Sequence, residues 1–216
     1  MRNINQFDLS SESYPNDDQV KLIPDFLNKF ARSRDVNYLF KFANKISKES
    51  SISEKNKKWL EWYSKYQKSC DFVKNENNKL PRMSYPKLPI CDSVEEIKLL
   101  IRNNQFLIIE GETGSGKTTQ LPKICIEMGL TSQGLIGVTQ PRRIAARSVA
   151  ERIALEMDSK VGDFVGWQIR FDKKISQKTS LKVMTDGLLL SEINRDRLLS
   201  DYKVLIIDEA HERSLN

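Results

Sequence analysis

The spacing of apolar positions changes character twice along the chain. Residues 1–20 are rich in Ser, Asn and Asp and show no period, which predicts poorly ordered chain over residues 1–22. From residue 24 to 48 the apolar positions Phe26, Leu27, Phe30, Leu39, Phe40, Phe42, Ala43 and Ile46 recur at helical spacing, as one helix or two. Ser51-Ile52-Ser53-Glu54 has the form of a capping box. The helix it opens would set Trp59, Trp62, Tyr63 and Tyr66 on one face. Asn75, Asn77, Asn78, Pro81, Pro86 and Pro89 then break the pattern. They predict a linker that closes a helical segment over residues 23–84, with a domain boundary near residue 85.

Beyond the linker, short apolar runs alternate with helical periods. Phe106–Ile109, Leu135–Val138, Leu181–Met184 and Val204–Ile207 read as strands. The first is continuously apolar, as expected of a strand buried on both faces of a parallel sheet. Helices are expected from the Ser93 capping box through Ile97, Leu100 and Ile101, then through Leu121 and Ile124. Two more are expected, from Pro141 through Ala145, Val149 and Ile153, and over Leu188–Ile193. The alternation predicts an α/β domain over residues 85–216, with a parallel sheet and helices on both faces.

Composition narrows the classes of function. The 216 residues carry a formal net charge of +6, spread over the chain: 15 Lys/Arg against 11 Asp/Glu up to residue 80, and 20 against 18 after it. A polyanionic partner is favoured weakly, so a basic patch must be argued from positions. Cys70, Cys91 and Cys125 lie far apart, and His211 is the sole histidine, which argues against a zinc site and for free thiols. No stretch has the apolar length of a signal peptide or a membrane span, and a cytoplasmic location is expected.

Two motifs carry the chemistry. Gly111-Glu112-Thr113-Gly114-Ser115-Gly116-Lys117-Thr118 is a phosphate-binding P-loop, between a strand-like run and a helix. Gly111, Gly114 and Gly116 let successive N–H groups turn toward phosphate oxygens, and the following helix offers its positive end to the same charge. Lys117 reaches the outer phosphates, and the Thr118 hydroxyl suits a magnesium ion. Asp208 and Glu209 close the last strand, where ligands sit in an open α/β sheet. Asp208 is placed to hold magnesium through water, and Glu209 to polarise an attacking water. ATP and Mg2+ are the expected ligands, with Thr118, Asp208 and Glu209 as the candidate metal set. His211 is either catalytic or a helix-start residue bonded to backbone.

With these residues in place, the chain resembles a DEAH-box RNA helicase of superfamily 2, in its bacterial HrpA-type branch. Gly111–Thr119 resembles motif I, Thr139-Gln140-Pro141-Arg142-Arg143-Ile144-Ala145-Ala146 motif Ia, and Thr185-Asp186-Gly187 motif Ib. Asp208-Glu209-Ala210-His211, followed by Glu212-Arg213-Ser214, is similar to motif II. Val165-Gly166-Trp167-Gln168-Ile169-Arg170-Phe171, Gln120–Cys125 and Ser84-Tyr85-Pro86 fit the family less specifically. The resemblance spans residues 85–216 and implies a RecA-like ATP-binding domain whose parallel sheet is incomplete. It further implies an ATP-driven motor on RNA, with Arg142, Arg143 and Thr185 gripping RNA backbone and reading little sequence. It gives Thr119 to the nucleotide loop and makes His211 the link between the outermost phosphate and a second motor domain.

That second domain, with its arginine fingers, and the Ser-Ala-Thr motif expected after motif II do not occur before the sequence stops at Asn216. The chain therefore reads as the first part of a longer helicase. Alone it is expected to bind nucleotide weakly, without unwinding RNA, and to be prone to aggregation. A P-loop ATPase outside the helicases would leave motifs Ia and Ib unexplained. The other alternative is a nucleotide- or RNA-binding fragment, or a docking module, without turnover. In that reading the Trp59–Tyr66 face meets a protein or ribonucleoprotein partner, or a stacked base, instead of packing against the α/β domain.

Overall fold

Helix formation begins at Asp17, inside the stretch whose polar composition predicted poor order. The computed structural model describes residues 17–77, 83–176 and 178–212. Residues 1–16, with the rest of that expectation, lie outside the described residues, as do Arg213 and Ser214. The chain divides into two compact units, Met1–Asn78 and Lys79–Asn216.

The first unit is built from three helices, α1 (Asp17–Phe30), α2 (Ser33–Ser47) and α3 (Ile52–Asn77). The apolar period of residues 24–48 is thus two helices, divided at Ala31-Arg32. The Glu54 N–H donates to Ser51 Oγ at 3.5 Å, the long contact of a loose cap at the predicted start of α3. α3 then runs to Asn77, two residues beyond the Asn75 at which the linker was expected.

The aromatic face of α3 is the core of this unit. Trp59 and Trp62 are buried with Val20, Ile23, Leu27, Leu39, Ala43 and Ile46 from α1 and α2. Trp62 Nε1 donates to the Leu39 carbonyl at 2.8 Å, and its ring stacks on Tyr66 at 5.5 Å. The face therefore packs on α1 and α2, where the sequence suggested the α/β domain or a partner. The reason is local: two amphipathic helices precede it, each with an apolar stripe to cover. The Arg32 N–H donates to Ser69 Oγ, which donates to Asp35 Oδ2, tying the start of α2 to α3.

The second unit opens with a 3₁₀ turn over Pro89–Ser93 and α4 (Val94–Asn103), in which Ser93 makes no side-chain cap bond. There follow α5 (Lys117–Glu127), β1 (Leu135–Gln140), α6 (Arg143–Glu156), β2 (Val165–Ile169) and β3 (Asp172–Lys174). β4 (Leu181–Thr185), α7 (Asp186–Arg195) and β5 (Tyr202–Ile207) complete it. The strand order is β3-β2-β4-β1-β5, parallel throughout except for the antiparallel β2–β3 pair.

Alternation within the strands assigns the two faces. Ile136 and Val138, Val165 and Trp167, and Leu181 and Val183 point into one core with Ala146, Ala150 and Ile153 of α6. Lys182 points the other way, where its Nζ pairs with Glu192 of α7 and lies 3.0 Å from Tyr202 Oη. Helices thus cover both faces, as expected.

Two features depart from the sequence reading. Phe106–Ile109 forms no strand and pairs with none among the described residues. Phe106 and Ile108 are 82% and 79% exposed, whereas Ile109 packs beside Ile97 and Ile124. Burial on both faces requires a packed layer on each face, and this segment has a cover on one face only. The sheet is also mixed, because the Arg170-Phe171 turn folds Asp172–Lys174 back on β2 as a polar edge. Lysines on a short edge strand oppose further strand addition.

Trp62→Ala should remove one of the two largest side chains of the first core together with its bond to the Leu39 carbonyl, at a cost of about 3–5 kcal/mol. Amide hydrogen exchange at Leu39 and Ala43 should accelerate accordingly, with β1 amides as the internal reference.

Candidate functional site

The parallel strands deliver their carboxyl ends to one edge. Gln140 of β1 pairs in register with Thr185 of β4, and Thr139 with Ile207 of β5, so Asp208 emerges one residue further on. In sheet order the row is Thr185, Gln140, Asp208, with strands about 4.8 Å apart.

The P-loop meets this row at its β5 end. Thr118 Oγ1 donates to Asp208 Oδ2 at 2.6 Å, and Gln140 Nε2 donates to the same oxygen at 2.5 Å. Segments 90 residues apart thereby converge on one carboxylate. Gln140, from the stretch that resembles motif Ia, is a site residue that the sequence reading left without a role.

Two glycines carry the turn. Gly114 and Gly116 have φ of 82° and 96°, in the left-handed region. A Cβ at Gly116 would lie 2.8 Å from Leu88 Cδ1 and 3.1 Å from Ile90 Cγ2, so a side chain there is excluded sterically as well. Ser115 is held from below, its carbonyl accepting from the Ile90 N–H at 3.2 Å. Lys117 opens α5, with Gly116 as its N-cap.

The Lys117 ammonium folds over the loop. It donates to the Gly111 carbonyl at 2.5 Å, the Glu112 carbonyl at 2.8 Å and Ser115 Oγ at 3.2 Å. All three acceptors are neutral, so a cation stands in the mouth of an N–H-rich loop without an opposing charge in these bonds. That donor set fits a polyphosphate. The hydroxyl–carboxylate pair of Thr118 and Asp208 supplies the hard oxygens that suit magnesium.

Beyond Asp208 the chain turns sharply. Glu209 has φ of +52°, an uncommon conformation for a side-chain-bearing residue that recurs at functional sites. Its Oε2 lies 3.3 Å from His211 Nδ1, and both side chains are solvent-exposed. His211 sits in a 3₁₀ turn, Ala210–Glu212. Thr113 and Thr119 stand in the loop and the first turn of α5, where Thr119 Oγ1 accepts from Gln120 Nε2 at 2.7 Å.

Of the residues expected to touch nucleic acid, Arg142 and Arg143 follow the middle strand of the row and Thr185 stands at its other end. Arg142 is the extended N-cap of α6 and Arg143 its first residue, so the helix starts two residues after Pro141, the position the sequence suggested. Arg142 is 77% exposed, with Nη2 at 3.5 Å from Glu212 Oε1. Thr185 is the N-cap of α7 and makes no side-chain cap bond.

Beneath the site lies a polar network that sequence reading missed. Lys123 is fully buried in α5, yet its Nζ donates to the Ser84 carbonyl at 2.6 Å and to Glu156 Oε2 at 3.0 Å. Glu156 also accepts from Gln120 at 2.8 Å and from Arg152 at 2.7 Å. Burial alone would raise the Glu156 pKa; the bonds from Gln120, Lys123 and Arg152 outweigh it and hold the carboxyl below its usual value of 4.5.

Glu156→Gln should leave the buried Lys123 ammonium without its counter-charge and lower stability by about 3 kcal/mol at neutral pH. A carboxyl with a depressed folded pKa contributes fully above its unfolded value and loses that contribution on acidification. The penalty should therefore hold above pH 4.5 and shrink below it. Exchange protection of the β1 amides of both proteins, followed against pH, is the measurement.

The profile of DEAD/DEAH box helicases matches residues 93–215. Over 129 residues, 60% of this chain, the sequence is 58% identical to a Haemophilus influenzae protein named ATP-dependent RNA helicase HrpA homolog. Over 137 residues it is 56% identical to ATP-dependent RNA helicase HrpA of Escherichia coli. A human protein named probable ATP-dependent RNA helicase DHX40 is 52% identical over 130 residues. The matched stretch spans 10% of each of the two bacterial relatives and 17% of the human one. The crystal structure of the Escherichia coli DEAH/RHA helicase HrpB superposes on 60% of this chain with a TM-score of 0.56 at 37% identity, and covers 16% of that protein. Among the described residues, no helix is long and apolar enough to cross a membrane.

Proposed function

The chain belongs to the DEAD/DEAH box helicase family, and we propose that it is the nucleotide-binding and RNA-gripping part of an ATP-dependent RNA helicase. The contact between Thr118 and Asp208, 2.6 Å long, carries this reading. It brings the two halves of a phosphate-and-metal site together from opposite ends of the α/β unit.

The loop N–H groups of residues 111–117 and the Lys117 ammonium hold the phosphates of ATP. Lys117 exchanges its carbonyl acceptors for phosphate oxygens, a charge-assisted and stronger set of bonds. Thr118 and Asp208 hold Mg2+, with Glu209 beside them. When bound, the ion offsets charge on the phosphate oxygens. Gln140 fixes the Asp208 carboxylate in place. Glu209 orients a water and takes up its proton, and the exposed His211, paired with Glu209, senses the state of that carboxylate.

Arg142 and Arg143 grip RNA phosphates at the start of α6, with the Thr185 hydroxyl next in the row. Cations at a helix N-terminus are disfavoured by the helix dipole, and a bound anion reverses that sign. Such contacts hold backbone and leave sequence unread.

The 216 residues by themselves bind nucleotide and RNA without unwinding. Glu209 and His211 are solvent-exposed, and unwinding requires a second domain that closes on ATP. The whole protein's cytoplasmic site of action follows from the same reading.

Lys117→Ala should weaken ATP binding by about 10- to 100-fold, the loss of one charge-assisted interaction. Glu209→Gln should retain binding and lower any turnover by about 10²–10⁴-fold. Calorimetric titration with MgATP and phosphate release with and without single-stranded RNA test both. RNA-stimulated turnover by the 216-residue chain, lost in both variants, would defeat the claim that these residues need a second domain. Unchanged ATP affinity in Lys117→Ala would defeat the assignment of the loop.

A further inference from the structure

The outer face of α2 carries one kind of charge. The exposed residues of this helix are Arg34, Tyr38, Lys41 and Lys45, with Lys48 exposed at its C-cap. They fall at intervals of four, three, four and three residues, which is one straight row on a helix. Their opposite numbers Leu39, Ala43 and Ile46 are buried, so the core fixes which way the row faces.

The row runs from residue 34 to residue 48, about 21 Å of helix, long enough to lie along several phosphates of a single strand. The sole acid of α2, Asp35, is half-buried and occupied by Ser69 Oγ, with Arg32 and Arg34 beside it at 4.0 and 3.9 Å. The neighbouring acids face other cations: Glu49 and Glu54 face Lys58, and Glu61 lies 3.4 Å from Lys65. Lys65 reaches back toward the row, its ammonium 5.3 Å from the centre of the exposed Tyr38 ring. Among the described residues, Lys41, Lys45 and Lys48 meet no carboxylate within 4.0 Å.

We propose that this row is a second RNA-binding surface, on the helical unit, which takes the phosphate backbone of single-stranded RNA without reading its sequence. The inference rests on the reading of the chain as part of an RNA helicase, which supplies the polyanion; the site itself is distinct from Arg142, Arg143 and Thr185. A solvated basic helix face ordinarily mixes signs and carries acids at i+4 spacing to its lysines. Here the exposed row contains none, and Glu49, four residues after Lys45, is taken by Lys58. An exposed aromatic between the cations also suits a flexible strand, whose bases can lie against it.

The test is fluorescence anisotropy of a labelled oligouridylate with the full chain, over a series of salt concentrations. The variants are Lys41→Ala/Lys45→Ala/Lys48→Ala, the matching triple Lys→Arg protein, and each combined with Arg142→Ala/Arg143→Ala. Alanine at exposed helical positions preserves helix propensity, and unchanged thermal unfolding verifies the fold. Removing three phosphate contacts should lower the slope of log affinity against log salt by about 2, in both backgrounds, and the Arg variant should restore it. An unchanged affinity and slope in the triple Ala protein, with RNA binding intact, overturns the surface and leaves the helicase reading standing. No RNA binding by the unaltered chain at low salt overturns both. Loss of binding to anionic phospholipid vesicles, with RNA affinity unchanged, also overturns the proposal, by making the row a membrane contact.

Discussion

The parallel register of β4, β1 and β5 is the constraint on which the rest of the α/β unit depends. Parallel strands put all their carboxyl ends on one edge, so the residue that follows each strand becomes a neighbour of the next. Gln140 meets Asp208 because Thr139 and Ile207 are partners in register. A slip of one residue would turn Ile136 and Val138 away from α6 and separate those two side chains at the same time. The hydrophobic pattern that fixes the core therefore also fixes the site. The P-loop is positioned differently. It follows a segment that pairs with no strand among the described residues, and it is held from below, where Leu88 and Ile90 fill the space beside Gly116 and the Ile90 N–H holds Ser115.

Much of this was legible in the sequence, for physical reasons that differ from element to element. Leu181–Met184 is a run whose strand lies in the sheet interior, Val204–Ile207 one whose strand ends the sheet beside β1, and the observed boundaries match both closely. The P-loop was legible because its glycines are required at fixed offsets, whatever surrounds them. Phe106–Ile109 has the same composition as a central strand, yet it is covered on one face only. Apolar content reports a preference for burial; it does not report which neighbours are present. The return strand β3 was missed because Asp172–Lys174 is a polar edge, which leaves no apolar period to detect, although Val165, Trp167 and Ile169 of β2 do alternate.

The polar network at Glu156 was invisible for another reason. Lys123 lies among Pro122, Ile124 and Cys125, where a lysine reads as a helix's outward turn. Its partner is 33 residues away, and no short-range spacing encodes the pair. The Trp59–Tyr66 face shows the converse case. Its period is unmistakable, but period alone does not name the partner. The partner proved to be α1 and α2, which lie earlier in the same unit.

Glu156 also ties two helices into one frame. α5 begins at Lys117, and α6 begins at Arg143 with Arg142 as its N-cap. Gln120 and Lys123 from the first helix and Arg152 from the second all end on the Glu156 carboxylate. Such a shared acceptor stabilises little by itself, because desolvation of both charges offsets most of the attraction. What it does is penalise any sliding of α5 against α6, since a shift that lengthens one bond strands a buried ammonium. Apolar contacts between the same helices would tolerate a small shift at little cost. A directional clamp from the middle of α5 to the last residue of α6 thus fixes the spacing of the two helices, and with it the spacing of the P-loop that begins one and the arginines that begin the other.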